Sequence, residues 1–92
     1  MEVKRTGNNV NIYDGERLIL HLDKNGDTFT AANDSMRISA KIEKMNDTAT
    51  KFSGVSLKKM NSAGKMVKNT SQKWMRHYTA WLESVCREYG LL

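Results

Sequence analysis

The sequence predicts an α+β protein: a five- or six-stranded antiparallel β-meander packed against one C-terminal α-helix. Short runs of alternating apolar and polar residues recur up to residue 68. Turn-forming pairs separate them at hairpin spacing, and from about residue 70 the apolar spacing changes to threes and fours. Ninety-two residues with 39% hydrophobic and 27% charged side chains suffice for one core and are too few for two. A single domain is expected, with the sheet over about 2–68 and the helix over about 70–89.

Val10 and Ile12 alternate with Asn9 and Asn11, Asp14-Gly15 forms a tight-turn pair, and Leu18, Leu20 and Leu22 alternate again, which reads as a hairpin. The acidic run Asp23–Asp27 has the opening of a calcium loop. Its glycine falls one residue early and no bidentate Glu follows, so a turn with positive φ at Asn25-Gly26 is the preferred reading. A strand through Thr28–Ala31 follows, then a turn at Asn33-Asp34. Met36, Ile38, Ala40 and Ile42 share one parity and Arg37, Ser39, Lys41 and Glu43 the other, giving a strand with one core face and one wet face.

After a turn at Asn46-Asp47, Phe52 has the opposite parity from Val55 and Leu57, and a β-bulge at Ser53-Gly54 reconciles the two registers. Asn61–Gly64 then reads as the turn of a last hairpin that returns through Lys65–Lys68. The alternative is helical, since Leu57, Met60, Gly64 and Val67 also fit a helix stripe.

Trp74, Met75, Tyr78, Trp81, Leu82, Val85, Cys86 and Tyr89 fall within an arc of about 140° on a helix of about 17 to 20 residues. Asn69 with Gln72 predicts a capping box, Gly90 a stop, and Glu83–Arg87 a favourable i,i+4 pair. In this register Trp74 and Trp81 are core residues. Such a helix is unstable alone in water, so its apolar stripe needs the sheet to pack on.

The charge is regional. Residues 1–46 carry seven bases and seven acids, so the net +5 arises from residues 47–92. Between Asp47 and Glu83 there is no carboxylate but seven bases: Lys51, Lys58, Lys59, Lys65, Lys68, Lys73 and Arg76. A solvated face ordinarily mixes both signs, and a one-signed field favours a polyanionic partner. These seven form the candidate binding set for nucleic acid, a nucleoprotein complex or an acidic protein surface. Arg37, Lys41, Phe52 and His77 are secondary contacts, and Phe52 and Tyr13 are the aromatics freest to stack. The double change Lys58→Glu, Lys59→Glu is expected to impair partner binding and leave the fold intact.

Enzyme chemistry has little to stand on. His21 and His77 lack zinc-site spacing, no glycine-rich loop precedes a helix, and Cys86 lies about 13 Å of helical rise from His77. A single cysteine gives no intramolecular disulfide, and no leader or membrane-length apolar run is present, so a cytoplasmic protein is expected, with no membrane partner, cofactor, metal or small-molecule substrate. The Asn-x-Ser/Thr triplets at Asn33, Asn46 and Asn69 are those expected by chance in an Asn- and Thr-rich chain.

In size, single-domain build, sheet-plus-helix outline and absence of a catalytic motif, the chain resembles the small phage-encoded anti-CRISPR inhibitor proteins. That resemblance covers the outline of the whole chain and rests on no shared motif. It implies a non-catalytic basic inhibitor that docks on a CRISPR surveillance complex in the host cytoplasm, contacts guide RNA or occupies the DNA path, and blocks nucleic-acid access. Gly54–Leu57 preceded by Lys51 is similar to the strand pattern of single-stranded-DNA-binding transcriptional coactivators, although about 16 residues intervene before Trp74. This second resemblance implies direct single-stranded DNA or RNA binding, or a transcription accessory role.

Overall fold

In the computed structural model, which describes residues 1–45 and 50–92, the strands are β1 (Glu2–Thr6), β2 (Asn9–Asp14), β3 (Arg17–Asn25), β4 (Thr28–Ala32), β5 (Met36–Met45), β6 (Thr50–Met60) and β7 (Met66–Lys68). Each pairs antiparallel with its sequence neighbour, so the sheet order is the chain order, and the helix α1 (Gln72–Glu88) follows. The α+β class and the meander match the sequence expectation, while the strand count is seven rather than five or six. The additional strand is β1, whose residues are all exposed. An edge strand held by backbone hydrogen bonds needs no buried side chain, so its sequence shows no apolar alternation.

Two-residue loops join β1 to β2, β2 to β3 and β3 to β4, each beginning with a glycine; at the last, Gly26 has φ +60° and Asn25 remains in the strand with negative φ. The alternation expected through Leu18, Leu20 and Leu22 is broken. Ile12 pairs with Leu20 but Tyr13 with Leu18, so Ile19 is the extra residue of a bulge and Leu18 turns to the solvated side. Asn33 makes its turn by accepting from the Ser35 backbone N–H at 2.9 Å. Residues 61–65 form the hairpin rather than a helix: Asn61 Oδ1 accepts from the N–H groups of Ala63 and Lys65, both at 3.0 Å. The turn expected at Asn46-Asp47 lies outside the described residues.

The predicted bulge in β6 is displaced by one residue. Ser39 pairs with Ser56 and Lys41 with Ser53, so Gly54 and Val55 together oppose Ala40, and Gly54 takes φ +57°. This extra residue lets Phe52 and Leu57 face the same side despite their opposite parity.

The core is built on one cross-strand row. Val10, Leu22, Ala31, Ile38 and Leu57 are mutual partners across β2–β6, and all are at most 1% exposed. Leu82, Val85 and Cys86 of α1 close over this side, with the helix lying against β4, β5 and β6. Full burial of a side chain such as Leu82 contributes about 1.5–3 kcal/mol, enough to hold a helix that is marginal by itself.

The N-cap is Ser71, whose Oγ accepts from Trp74 N at 3.5 Å. Asn69 instead accepts from the Ser71 N–H at 2.9 Å, so the expected Asn69–Gln72 box is replaced by an Asx turn feeding the cap. At the other end Gly90, φ +74°, donates to Arg87 O and Leu91 donates to Cys86 O, which is a Schellman closure with Leu91 buried beneath it. Arg5 of β1 donates to the Tyr89 carbonyl at 2.8 Å, and Arg87 joins Glu83 at 3.2 Å and Thr50 at 2.7 Å.

A Cβ at Gly54 would meet nothing within 4 Å, so substitution there tests the backbone alone. Gly54→Ala is expected to cost about 1–2 kcal/mol of stability and Gly54→Asn less, as read by urea unfolding. Equal stability of all three proteins would show that the bulge does not need the left-handed conformation.

Candidate polyanion interface

Side chains alternate between the two faces of each strand, so the row one step from the apolar row points away from the helix. That row is Lys4, Asn11, His21, Ala32, Arg37, Lys58 and Lys68, one residue from every strand. Beside it run Thr6, Asn9, Asp23, Thr30, Ser39 and Ser56, then Asn25, Thr28, Lys41 and Ser53. These three rows are polar apart from Ala32, while Tyr13, Leu18, Met60 and Met66 stand on the same face beyond them; Arg37, Lys41, Lys58 and Lys68 are exposed on it.

Arg37, Lys58 and Lys68 are direct neighbours across β5, β6 and β7. Like charges opposite one another at about 5 Å repel by roughly 1 kcal/mol or less in water, and no acidic residue is a cross-strand partner of these three; the exposed Glu43 lies farther along β5 and pairs with Lys51. Toward β1 the field weakens, because Lys4 lies 3.9 Å from Glu2 and Asp23 shares the face. Lys4 also sits over the Tyr13 ring at 5.2 Å, and the half-buried His21 donates from Nδ1 to Asn11 Oδ1 at 2.6 Å.

The seven predicted bases do not converge. Lys58 and Lys68 are on the open face. Lys59, adjacent to Lys58, points to the helix side, so the pair expected to act together is divided between two surfaces. Lys59 Nζ lies 4.3 Å from the centroid of the Trp74 ring and 5.3 Å from that of Tyr78, and Lys73 approaches Trp74 at 5.7 Å. Lys51 is engaged by Glu43 at 3.6 Å, and Lys65 follows the β6–β7 turn. Arg76 lines a groove of about 410 Å³ between α1 and β6, together with Phe52, Val55 and Met75.

Arg37 and Lys41 join the open face as expected. Phe52 does not: it packs edge-on against Phe29 at 6.2 Å and belongs to the core margin. His77 stands in an aromatic group with Trp74 and Tyr78, at 5.8 and 5.0 Å. Trp81 packs on the core, but Trp74 is 38% exposed, which corrects the reading of both as core residues. Lys4 is hidden in the charge-balanced half of the chain. Its signal is the register that aligns it with Asn11, visible only once β1 is recognised as a strand.

Among the described residues no group of three or more His, Cys, Asp or Glu could hold a metal ion, and no helix is long and apolar enough to cross a membrane. Cys86 is fully buried on the inner face of α1, and burial pushes its thiol up to about 11. No protein-family model, curated protein or solved structure matches the chain.

The Cys86 thiol keeps its proton in the fold to a higher pH than in the unfolded chain, where it ionises near 9. Between about pH 9 and 11 the unfolded state therefore binds fewer protons, and stability falls as pH rises through that window. Urea unfolding of Cys86→Ala should lack that part of the alkaline loss. An identical pH profile for the two proteins would remove Cys86 as its source.

Proposed function

We propose that this protein acts by binding, without catalysis, and docks through its open sheet face on the phosphate backbone of a nucleic acid, free or held within a nucleoprotein complex. The observation that supports this is the Arg37–Lys58–Lys68 ladder, repeated across three strands with no carboxylate among its cross-strand neighbours on that face. Neighbouring strands are about 4.8 Å apart, so the ladder presents evenly spaced cations to a polymer that repeats its charge regularly. Lys41, two rows along β5, widens the strip to four cations. Irregularly placed carboxylates on a protein would meet such an array less completely. In the setting implied by the resemblance to phage inhibitors, the same face would cover guide RNA or line the DNA path and exclude the incoming strand.

Neutralising four phosphates gives a log–log slope of affinity on salt of about −3. The double variant Lys58→Glu, Lys68→Glu should lose at least about tenfold in affinity and flatten that slope. Because the change replaces repulsion with attraction next to Arg37, thermal stability should stay level or rise slightly. Anisotropy titrations over a salt series, paired with thermal melts, measure both. Unchanged binding by the double variant, or no nucleic-acid binding at 50 mM salt, would refute the proposal.

A further inference from the structure

Trp74, Tyr78, His77 and Trp81 form a chain of ring contacts along one flank of α1, with centroid separations of 5.0 to 6.1 Å. Such a chain holds each ring in place before any ligand arrives. The end of the chain is open: Trp74 is 38% exposed. Two ammonium groups stand at that open ring, Lys59 at 4.3 Å and Lys73 at 5.7 Å. A flat apolar ring flanked by cations, in a stretch with no carboxylate, combines the two groups that a nucleotide needs, a surface for its base and charge for its phosphate.

The position of this cluster relates it to the open face. Lys59 pairs with Val67 of β7, while their neighbours Lys58 and Lys68 pair with each other on the opposite side of the sheet. Strand β7 is the edge of the sheet and only three residues long, and Val67 is 39% exposed beside the cluster. The ladder and the exposed ring therefore lie on the two sides of one short edge strand. A flexible single strand can turn around that edge, whereas a stiff duplex keeps its bases stacked and inaccessible to the ring.

We infer that the protein selects single-stranded over double-stranded nucleic acid, by stacking an unpaired base on the exposed part of Trp74 with Lys73 at its phosphate and Lys59 held over the ring, while the adjoining backbone crosses the β7 edge onto Lys68 and Lys58. This rests on the open-face reading above and adds the substrate class to it. Lys73, at the first turn of the helix and exposed, moves from ring to phosphate when the base arrives. Lys59, half-buried on β6, stays over the ring.

The test compares oligo(dT) and oligo(U) of about 15 nucleotides with a hairpin duplex of matched charge, at about 50 mM salt. The single strands should bind at least about tenfold more tightly than the duplex and quench tryptophan fluorescence. Trp74→Ala should lose about tenfold in single-strand affinity and most of the quench, with duplex binding unchanged. Trp74→Phe should retain most of the affinity, and Trp74→Leu, which keeps apolar bulk without a flat ring, should lose it even if the alanine variant folds poorly. Equal affinity for single strand and duplex would overturn the inference, as would single-strand binding by Trp74→Leu at the wild-type level. If duplex and single strand bind alike and Lys58→Glu, Lys68→Glu abolishes both, only the base-stacking inference falls. If neither nucleic acid binds, the open-face reading falls with it.

Discussion

The structure depends on the register of one buried row. Val10, Leu22, Ala31, Ile38 and Leu57 lie side by side across five strands and give Leu82, Val85 and Cys86 a surface to close on. Because strand side chains alternate, this alignment also places Asn11, His21, Ala32, Arg37 and Lys58 in line on the opposite face. A slip of one residue would carry Arg37 and Lys58 beneath the helix, where the cost of burying an unpaired charge exceeds anything that apolar packing can offset. The packing of the core and the placement of the cations are thus one constraint, satisfied once.

That constraint explains why net charge alone is a poor guide to the surface. The bases of the acid-free stretch are dealt alternately to two sides by the strand and around a circle by the helix. The strip that remains on the open face includes Arg37 and Lys41, which precede the stretch, and omits Lys51, which Glu43 holds. The ion pairs Arg17–Asp34 and Lys51–Glu43 are exposed and screened by water, so surface pairing does not account for the fold. Apolar burial under the helix does.

Features with a local physical cause were legible in the sequence. The helix from about residue 70, the glycine turns, the parity of β5 and the Glu83–Arg87 pair depend on residues a few positions apart, and each is present. Features decided by non-local partners were not. Strand β1 is recruited by β2 through its backbone; the bulge at Ile19 is set by how Tyr13 meets Leu18. Ser71 rather than Asn69 caps the helix because the chain must first leave β7, where the Asn69 N–H still donates to Leu57 O at 2.8 Å. Trp74 lies on the apolar arc of the helix as periodicity requires, yet that part of the arc meets Lys59 rather than a covering strand. The candidate site was legible as a sign of charge and as residue types, while its division into a ladder and a ring cluster needed the pairing of β5, β6 and β7.

The meander also has a kinetic meaning. Every strand pairs with the one made just before it, so the sheet can assemble as a series of local closures that need no distant segment to be brought in. The helix has no such local partner: its stripe has a docking surface only after β4, β5 and β6 are side by side. The long-range closures of this chain are thus gathered at the helix, and the widest are the Arg5 hydrogen bonds to the helix end, which join residues 84 and 85 positions apart.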